Sequence, residues 1–477
     1  MKHIGIYAWA LILVLLASCT KSENISFSEL SECDTHTKKI EVITIDEALQ
    51  NLEAFLSNVQ FERTKSSKIK FSSIETHYTS SVATKSGELM PDAYLVNFED
   101  DEGYAVLGAN TTVTPIIAVV ENGNTDWDSL LSPTEGQTQI EDSSDPADLL
   151  GSGIEPEQLV AMSVKGALYG NSSGNESTST TNSDEVLPLL STNYNFGQQV
   201  TYCHKNNGKF VTNGCASTAI SMIVAYNKYP EMRVDNVSIN YANRNTRDGS
   251  GIYYRFPDDV IYVQLSDYFK NSSSIPASLS NDDMISLLKK IDSDITKDHG
   301  NPTSITAAST FYRTRYKLIS GIYYTLNNII KNWNGTGTMP AAAVNGLEDL
   351  GYTSVDKTKK KELTSAQITT ITNMLKAGKP VLMCGWSLGS LSESHYWVVD
   401  GIKNENGNTL IHCNWGWSGS SNGWFASDCI RSDSPVSTKT SDANNGWNNI
   451  IVFSYNMSST TPSRTINEFY NEHRATY

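Results

Sequence analysis

The chain has 477 residues, room for about three domains at ~150 residues each. Hydrophobic residues make up 39% of it, enough for a real core, so wholesale disorder is excluded. Lys plus Arg is 36 against 52 Asp plus Glu, a net charge of −16. A phosphate footprint needs clustered cations, so no nucleic-acid partner is expected. The 7 cysteines are too few for a disulfide scaffold, and an odd number leaves at least one thiol unpaired. None are spaced CxxC, which argues against a zinc ribbon or a thioredoxin-like site.

Met1-Lys2-His3 is a short basic start, and Ile4 to Ala17 is an uncharged, mostly apolar run. It is too short to span a bilayer comfortably and fits a signal-peptide core. It closes on Leu16-Ala17-Ser18-Cys19, which resembles a bacterial lipobox. That resemblance implies removal of residues 1–18, lipidation of Cys19 and export of everything after it. The chain would then be a membrane-anchored lipoprotein on the cell surface or periplasmic side, released if its N-terminal domain is cut away. The plainer alternative is an ordinary secretion signal with a chance cysteine. No other segment is a transmembrane candidate.

Asp46 to Val59 carries Leu49, Leu52, Phe55, Leu56 and Val59 at helical spacing, with Asp46 as N-cap. A polar stretch runs to about Glu88. Strands are expected at 94–98, 104–109 and 116–120, the first two joined by Glu99-Asp100-Asp101-Glu102-Gly103. This is a small α+β module over roughly residues 40 to 165. Between Asn171 and Ser183 every residue but Glu176 is Asn, Ser, Thr or Gly, a composition that cannot bury enough to order itself. It reads as a linker, and linkers are where proteases cut. Beyond Val186 an apolar helix is expected from Cys215 to Tyr226 and a second from Thr364 to Ala377, stopped by Gly378-Lys379-Pro380. Strands are expected next at 381–386, 396–400 and 410–415. This half is helical first and β-rich later.

Cys215 opens its helix, where the helix dipole and free N–H groups lower a thiol pKa. Gly214 before it allows close backbone approach, and the Cys215 N–H can form half of an oxyanion hole. A buried cysteine is ordinarily a small hydrophobe, so the nucleophile reading needs a base. Of the 8 histidines, His395 at the start of a strand is best placed. His412, inside a strand-like run, is its rival. Asn414, 19 residues further on, can orient the imidazole, and Trp415 can shield that hydrogen bond from water or simply pack in the core.

Gly214-Cys215-Ala216, then His395-Tyr396-Trp397-Val398-Val399-Asp400-Gly401, then Asn414-Trp415-Gly416-Trp417 is similar to the streptopain family of secreted bacterial cysteine peptidases. Phe196-Gly197-Gln198 with Tyr202-Cys203 resembles the segment carrying the oxyanion-hole glutamine, which assigns that role to Gln198. The family's usual Trp is replaced there by Phe196, and the family's small residues beside the histidine by Ser394 and bulky Tyr396. Tyr94 to Leu107 looks like the streptopain pro-domain, an intramolecular inhibitor.

The resemblance implies an α+β, papain-like peptidase domain over 189–456, a pro-domain over 19–170 and an activation linker over 171–188. A C-terminal tail over 457–477 has no counterpart. The catalytic set would be Cys215, His395, Asn414, Gln198 and Trp415, with no cofactor or metal. Partners would be protein or peptide substrates, the chain's own pro-domain, an activating protease (the enzyme itself included) and the membrane through the lipid. The family implies a bulky apolar side chain two residues before the cut, and Trp386, Tyr396, Trp397 and Trp415 offer an apolar wall near the histidine. Gly385 to Ser394 would form a mobile lip of the cleft or an ordinary turn. Two readings compete. A transglutaminase-like acyltransferase would use Asp as its third member, and a decayed surface adhesin or inhibitor would have lost a catalytic residue.

Overall fold

The computed structural model describes residues 40–59, 70–83, 89–131, 156–169, 185–191, 194–197, 203–206, 209–212, 214–233, 245–248, 251–255, 262–264, 318–326, 338–386, 394–405, 407–430, 447, 449–460, 462–465, 468–469 and 471–472. The expected signal peptide, Cys19, residues 171–184 of the linker and Gln198 lie outside these residues, whereas the linker's end is described and Val186 bridges Ile402. Residues Glu41–Tyr477 form one compact unit. Apart from Ile40, the preceding unit, Met1–Ile40, lies outside the described residues.

The first helix runs Ile45–Asn58. Its N-cap is Thr44 rather than the expected Asp46. Thr44 and Glu47 form a reciprocal capping box, which satisfies two backbone donors that Asp46, inside the first turn, cannot reach. Ala48, Leu52, Phe55 and Leu56 fall on one face and are buried. That face lies on a sheet of β1 (Phe71–Ala83), β2 (Leu89–Phe98), β3 (Tyr104–Gly108) and β4 (Ile116–Val120). The side-chain period of two sorts these strands cleanly. Tyr94, Val96, Phe98, Ala105 and Leu107 face the helix, whereas Ala93, Leu95, Tyr104 and Val106 face the opposite core. The helix Pro156–Tyr169 covers that second face with Leu159, Val160, Met162 and Val164. Burial on both faces explains why β3 and β4 read as continuous apolar runs.

The remaining strands are β5 (Cys203–Asn206), β6 (Lys209–Thr212), β7 (Glu231–Arg233), β8 (Asn245–Asp248), β9 (Gly251–Arg255), β10 (Tyr262–Gln264), β11 (Tyr352–Lys360), β12 (Val381–Trp386), β13 (Ser394–Glu405), β14 (Asn408–Asn414), β15 (Gly423–Ala426), β16 (Asn449–Met457) and β17 (Ser463–Thr465). One ten-stranded antiparallel sheet has the order β1-β2-β3-β4-β15-β14-β13-β12-β16-β11. The sheet of the N-terminal module thus continues into the C-terminal one through β4 and β15, with Val119 opposite Trp424. Gly423 makes this junction possible. A Cβ there would stand 2.1 Å from the Val119 carbonyl oxygen. Trp424 in turn receives Phe55 edge-on at 5.8 Å.

A five-stranded sheet, β6-β5-β10-β9-β8, and a parallel pair, β17-β7, complete the described strands. The segment after Met457 is docked: β17 pairs with β7, and the Phe469 ring lies where a Cβ on Gly321 would go. Among the described residues no helix is long and apolar enough to cross a membrane.

Candidate active site

The helix Gly214–Asn227 is buried from Ala216 to Val224 and packs on β12 and β13. Gly214 starts it at φ +77°, in the left-handed region that glycine tolerates. Cys215, its second residue, is half-buried and its thiol is free. Burial pushes that thiol up to about 11, opposed by the backbone N–H groups of Tyr396, Ala216 and Cys215 itself. The sulfur therefore sits against the backbone of the residue that follows His395. Cys384, opposite Tyr396 in the β12–β13 ladder, is held well up by burial first and by Cys215 second.

His395 faces Gly385 across the same ladder. A Cβ on Gly385 would lie 2.6 Å from the Trp447 ring, so glycine lets three tryptophans close under the histidine. Trp397 stacks parallel to its imidazole at 6.3 Å and lies 4.9 Å from Trp447, which itself stacks on Trp415. The imidazole is 1% exposed. Its Nε2 donates to the Trp415 carbonyl oxygen at 2.8 Å, an acceptor-only partner that fixes the proton on that nitrogen. Burial drives its pKa down to about 4, against the pull of that carbonyl. Burial thus disfavours the charged form of both the thiol and the imidazole.

Asn414 lies opposite Val398 on the neighbouring strand, but its side chain is engaged elsewhere than on His395. Its Nδ2 donates to Asn195 Oδ1 at 2.9 Å, and its Oδ1 accepts from the Gly416 N–H at 3.2 Å. Trp415 is fully buried, and its carbonyl, not its ring, is what the histidine bonds. Tyr396 is not a cleft residue either: it is 1% exposed and its hydroxyl donates to the Thr338 carbonyl. Tyr396, Trp397 and Trp415 are core, so the expected apolar wall is not built from them. The Trp386 side chain and residues 387–393 lie outside the described residues.

His412, the rival base, has a different occupation. Its Nδ1 bonds Asp400 at 2.6 Å and its Nε2 bonds Glu121 at 3.1 Å. Burial alone would lower its pKa, but Asp400 and then Glu121 outweigh that and raise it to about 10. It is an imidazolium clasped between the C-terminal module and the end of β4. Asp400 Oδ2 also accepts from the Leu190 N–H, tying in the first residues after the linker. Glu121 stands just after β4, where no sequence motif marks it as a partner.

Sequence reasoning also missed an asparagine cluster around residues 414–422. Asn422 Oδ1 accepts from the Trp415 N–H, and its Nδ2 donates to Asn195 Oδ1 at 3.2 Å. Asn122 of the N-terminal module bonds the Gly419 carbonyl and the Ser421 N–H. Asparagines mark turns everywhere, and only the fold brings these four together.

The Peptidase C10 family model matches residues 191–425, just under half of the chain, a span that includes Cys215, His395, Asn414 and Trp415. No curated protein matches the chain. Among solved structures, a fragment of prointerpain A from Prevotella intermedia is similar at 15% identity and a TM-score of 0.38, covering 81% of this chain and 100% of that one. The active wild-type interpain A cysteine protease of the same organism is similar at 20% identity and a TM-score of 0.30, covering 56% and 94%.

Proposed function

We propose that the chain is the zymogen of a papain-like cysteine endopeptidase. The observation that carries this reading is the place of Cys215 at a helix start, its sulfur against the backbone of Tyr396, the residue that follows His395, inside the span matched by the Peptidase C10 model. In the active form Cys215 attacks the scissile carbonyl as a thiolate, and His395 as imidazolium protonates the leaving amine. The Cys215 N–H and Gln198 hold the oxyanion, Asn414 orients the imidazole with Trp415 packed beside it, and water hydrolyses the thioester. No step calls for a metal or cofactor.

Latency is part of the proposal. Burial that raises the thiol and lowers the imidazole works against the thiolate–imidazolium pair at neutral pH. Activation then requires the burial of the pair to be relieved, because burial is the larger cause of both shifts and the Trp415 carbonyl itself favours the charged imidazole. The N-terminal module holds the loop that carries this carbonyl, through Asn122, so it fits the part of inhibitory pro-domain, relieved by a cut in the linker by a protease or by the enzyme itself. Cys19 as a lipid anchor and a broad specificity with an apolar residue two before the cut belong to the same reading, on the strength of the resemblances alone. The direct test is Cys215→Ala. Casein hydrolysis by the linker-cut chain should vanish while the thermal transition stays within a few degrees, and an alanine variant that still cleaved casein would overturn the mechanism.

A further inference from the structure

The backbone fixes which way round two amides of the cluster lie. Gly416 N–H donates to one end of the Asn414 amide, so that end is oxygen and the other is NH2. Trp415 N–H does the same for Asn422. Both NH2 groups converge on one atom of Asn195, at 2.9 and 3.2 Å, and that atom must therefore be its oxygen, with both lone pairs used. The backbone around Asn195 is held to the same loop: Ser418 N–H donates to the Phe196 carbonyl at 3.1 Å, and Gly197 bridges Trp417. Gly197 admits this approach, since a Cβ there would lie 2.3 Å from Ser418 Oγ.

We infer that Asn195 is a positioning residue for catalysis, holding the amide of Asn414 so that its oxygen, and not its NH2, is presented to the catalytic imidazole. The inference rests on the peptidase reading above and adds to it. Asn195 takes the Nδ2 end of Asn414, which leaves Oδ1 as the free face of the amide. Here Oδ1 is occupied only by the longer Gly416 contact, and a carbonyl oxygen has a second lone pair for an imidazole N–H. With Asn195 gone, only the longer Gly416 contact opposes a turn of the amide that would offer NH2, which an imidazolium cannot accept.

The test measures kcat and KM against pH for linker-cut wild type, Asn195→Ala and Asn195→Asp, each normalised to the fraction of Cys215 labelled by an epoxide thiol inhibitor. Asn195→Ala should lower kcat per labelled site by about tenfold, the scale of partners one shell out from the chemistry, with KM little changed. It should also pull the alkaline limb to lower pH, since the imidazolium loses its orienting acceptor. Asn195→Asp keeps both accepted bonds and adds a negative charge, so it should restore most of kcat and move that limb to higher pH. A merely structural residue would reduce the labelled fraction and leave the limb in place. An unmoved limb in Asn195→Asp, or wild-type kcat per labelled site in Asn195→Ala, overturns the inference while leaving the peptidase reading intact. If Asn195→Ala does not fold, the Asp variant alone decides. A linker-cut wild type that neither labels at Cys215 nor hydrolyses casein overturns the peptidase reading, and this inference with it.

Discussion

Replacing Glu121 with Gln removes one of the two carboxylates around His412 while keeping an oxygen that can accept its N–H. The His412 side chain is 6% exposed, Asp400 is fully buried, and the Glu121 side chain is 34% exposed. An exposed ion pair contributes up to ~1 kcal/mol, and breaking a buried one costs about 3–5 kcal/mol. Glu121 lies between these limits, so Glu121→Gln should cost about 1–2 kcal/mol at neutral pH, equivalent to about one unit of the His412 pKa. The sign follows from linkage. The folded-state pKa of about 10 lies above the ordinary value of 6.5, so the clasp's contribution is complete below about pH 6.5. It declines as the pH rises and is gone once the pH passes through about 10. The difference between wild type and Glu121→Gln should accordingly be constant near neutrality and vanish toward pH 10. The assay is chemical denaturation of both proteins in a Cys215→Ala background across about pH 6–10, the window set by linkage, with the imidazole signal of His412 tracked by NMR. Other groups titrate in this range, which is why the difference is read. A His412 that titrates near its ordinary value in the wild type, or a difference independent of pH, would refute the clasp.

Three further outcomes are testable, the last on the strength of the family resemblance alone. His395→Ala should reduce turnover more than Asn414→Ala, because the imidazole moves the proton and the amide only orients it; equal losses would contradict the division of roles. Gly423→Ala should destabilise the chain by about 3 kcal/mol, as an overpacked site does, since its Cβ meets the Val119 carbonyl. It should also expose the linker-adjacent chain to proteolysis, and an unchanged unfolding midpoint would rule out the β4–β15 junction. A peptide library should show a preference for Val, Ile or Phe over Asp or Lys two residues before the cut, modest because one methylene in an apolar pocket is worth ~1–3 kcal/mol; indifference at that position would remove the apolar pocket.

What could be read from the sequence was what local pattern encodes. β4 and β12 fall where their apolar runs lie, at 116–120 and 381–386, and the cysteine helix spans 214–227 against an expected 215–226. Both outer strands of the large sheet escaped. β1 lay within the stretch taken as polar, and β11, with Lys357, Lys359 and Lys360, is almost wholly exposed. An edge strand buries little, so it carries no alternation to detect, and its charges protect it from pairing with other chains. The Thr44–Glu47 capping box was legible as Thr-x-x-Glu and was passed over for Asp46. The continuity of β4 with β15 joins residues far apart in the chain, and no local signal encodes such a pairing. At the site, residue types were legible but their engagements were not. Asn414 and His395 are on neighbouring strands as expected, yet the amide is held by Asn195 and the imidazole by a backbone carbonyl, in a loop that the N-terminal module and the segment before Gln198 both bond.

Cys215 as a nucleophile kept latent until the linker is cut can be probed with an epoxide thiol inhibitor. The chain is labelled before and after cleavage between Leu168 and Pro188, and the modified peptides are mapped. A modified peptide containing Cys215 is expected in the cut chain and little or none in the intact one, with Cys384, Cys413 and Cys429, all buried, unmodified in both. Equal labelling of Cys215 in a chain confirmed intact by mass spectrometry would contradict latency, and no labelling of Cys215 after the cut would contradict the nucleophile itself.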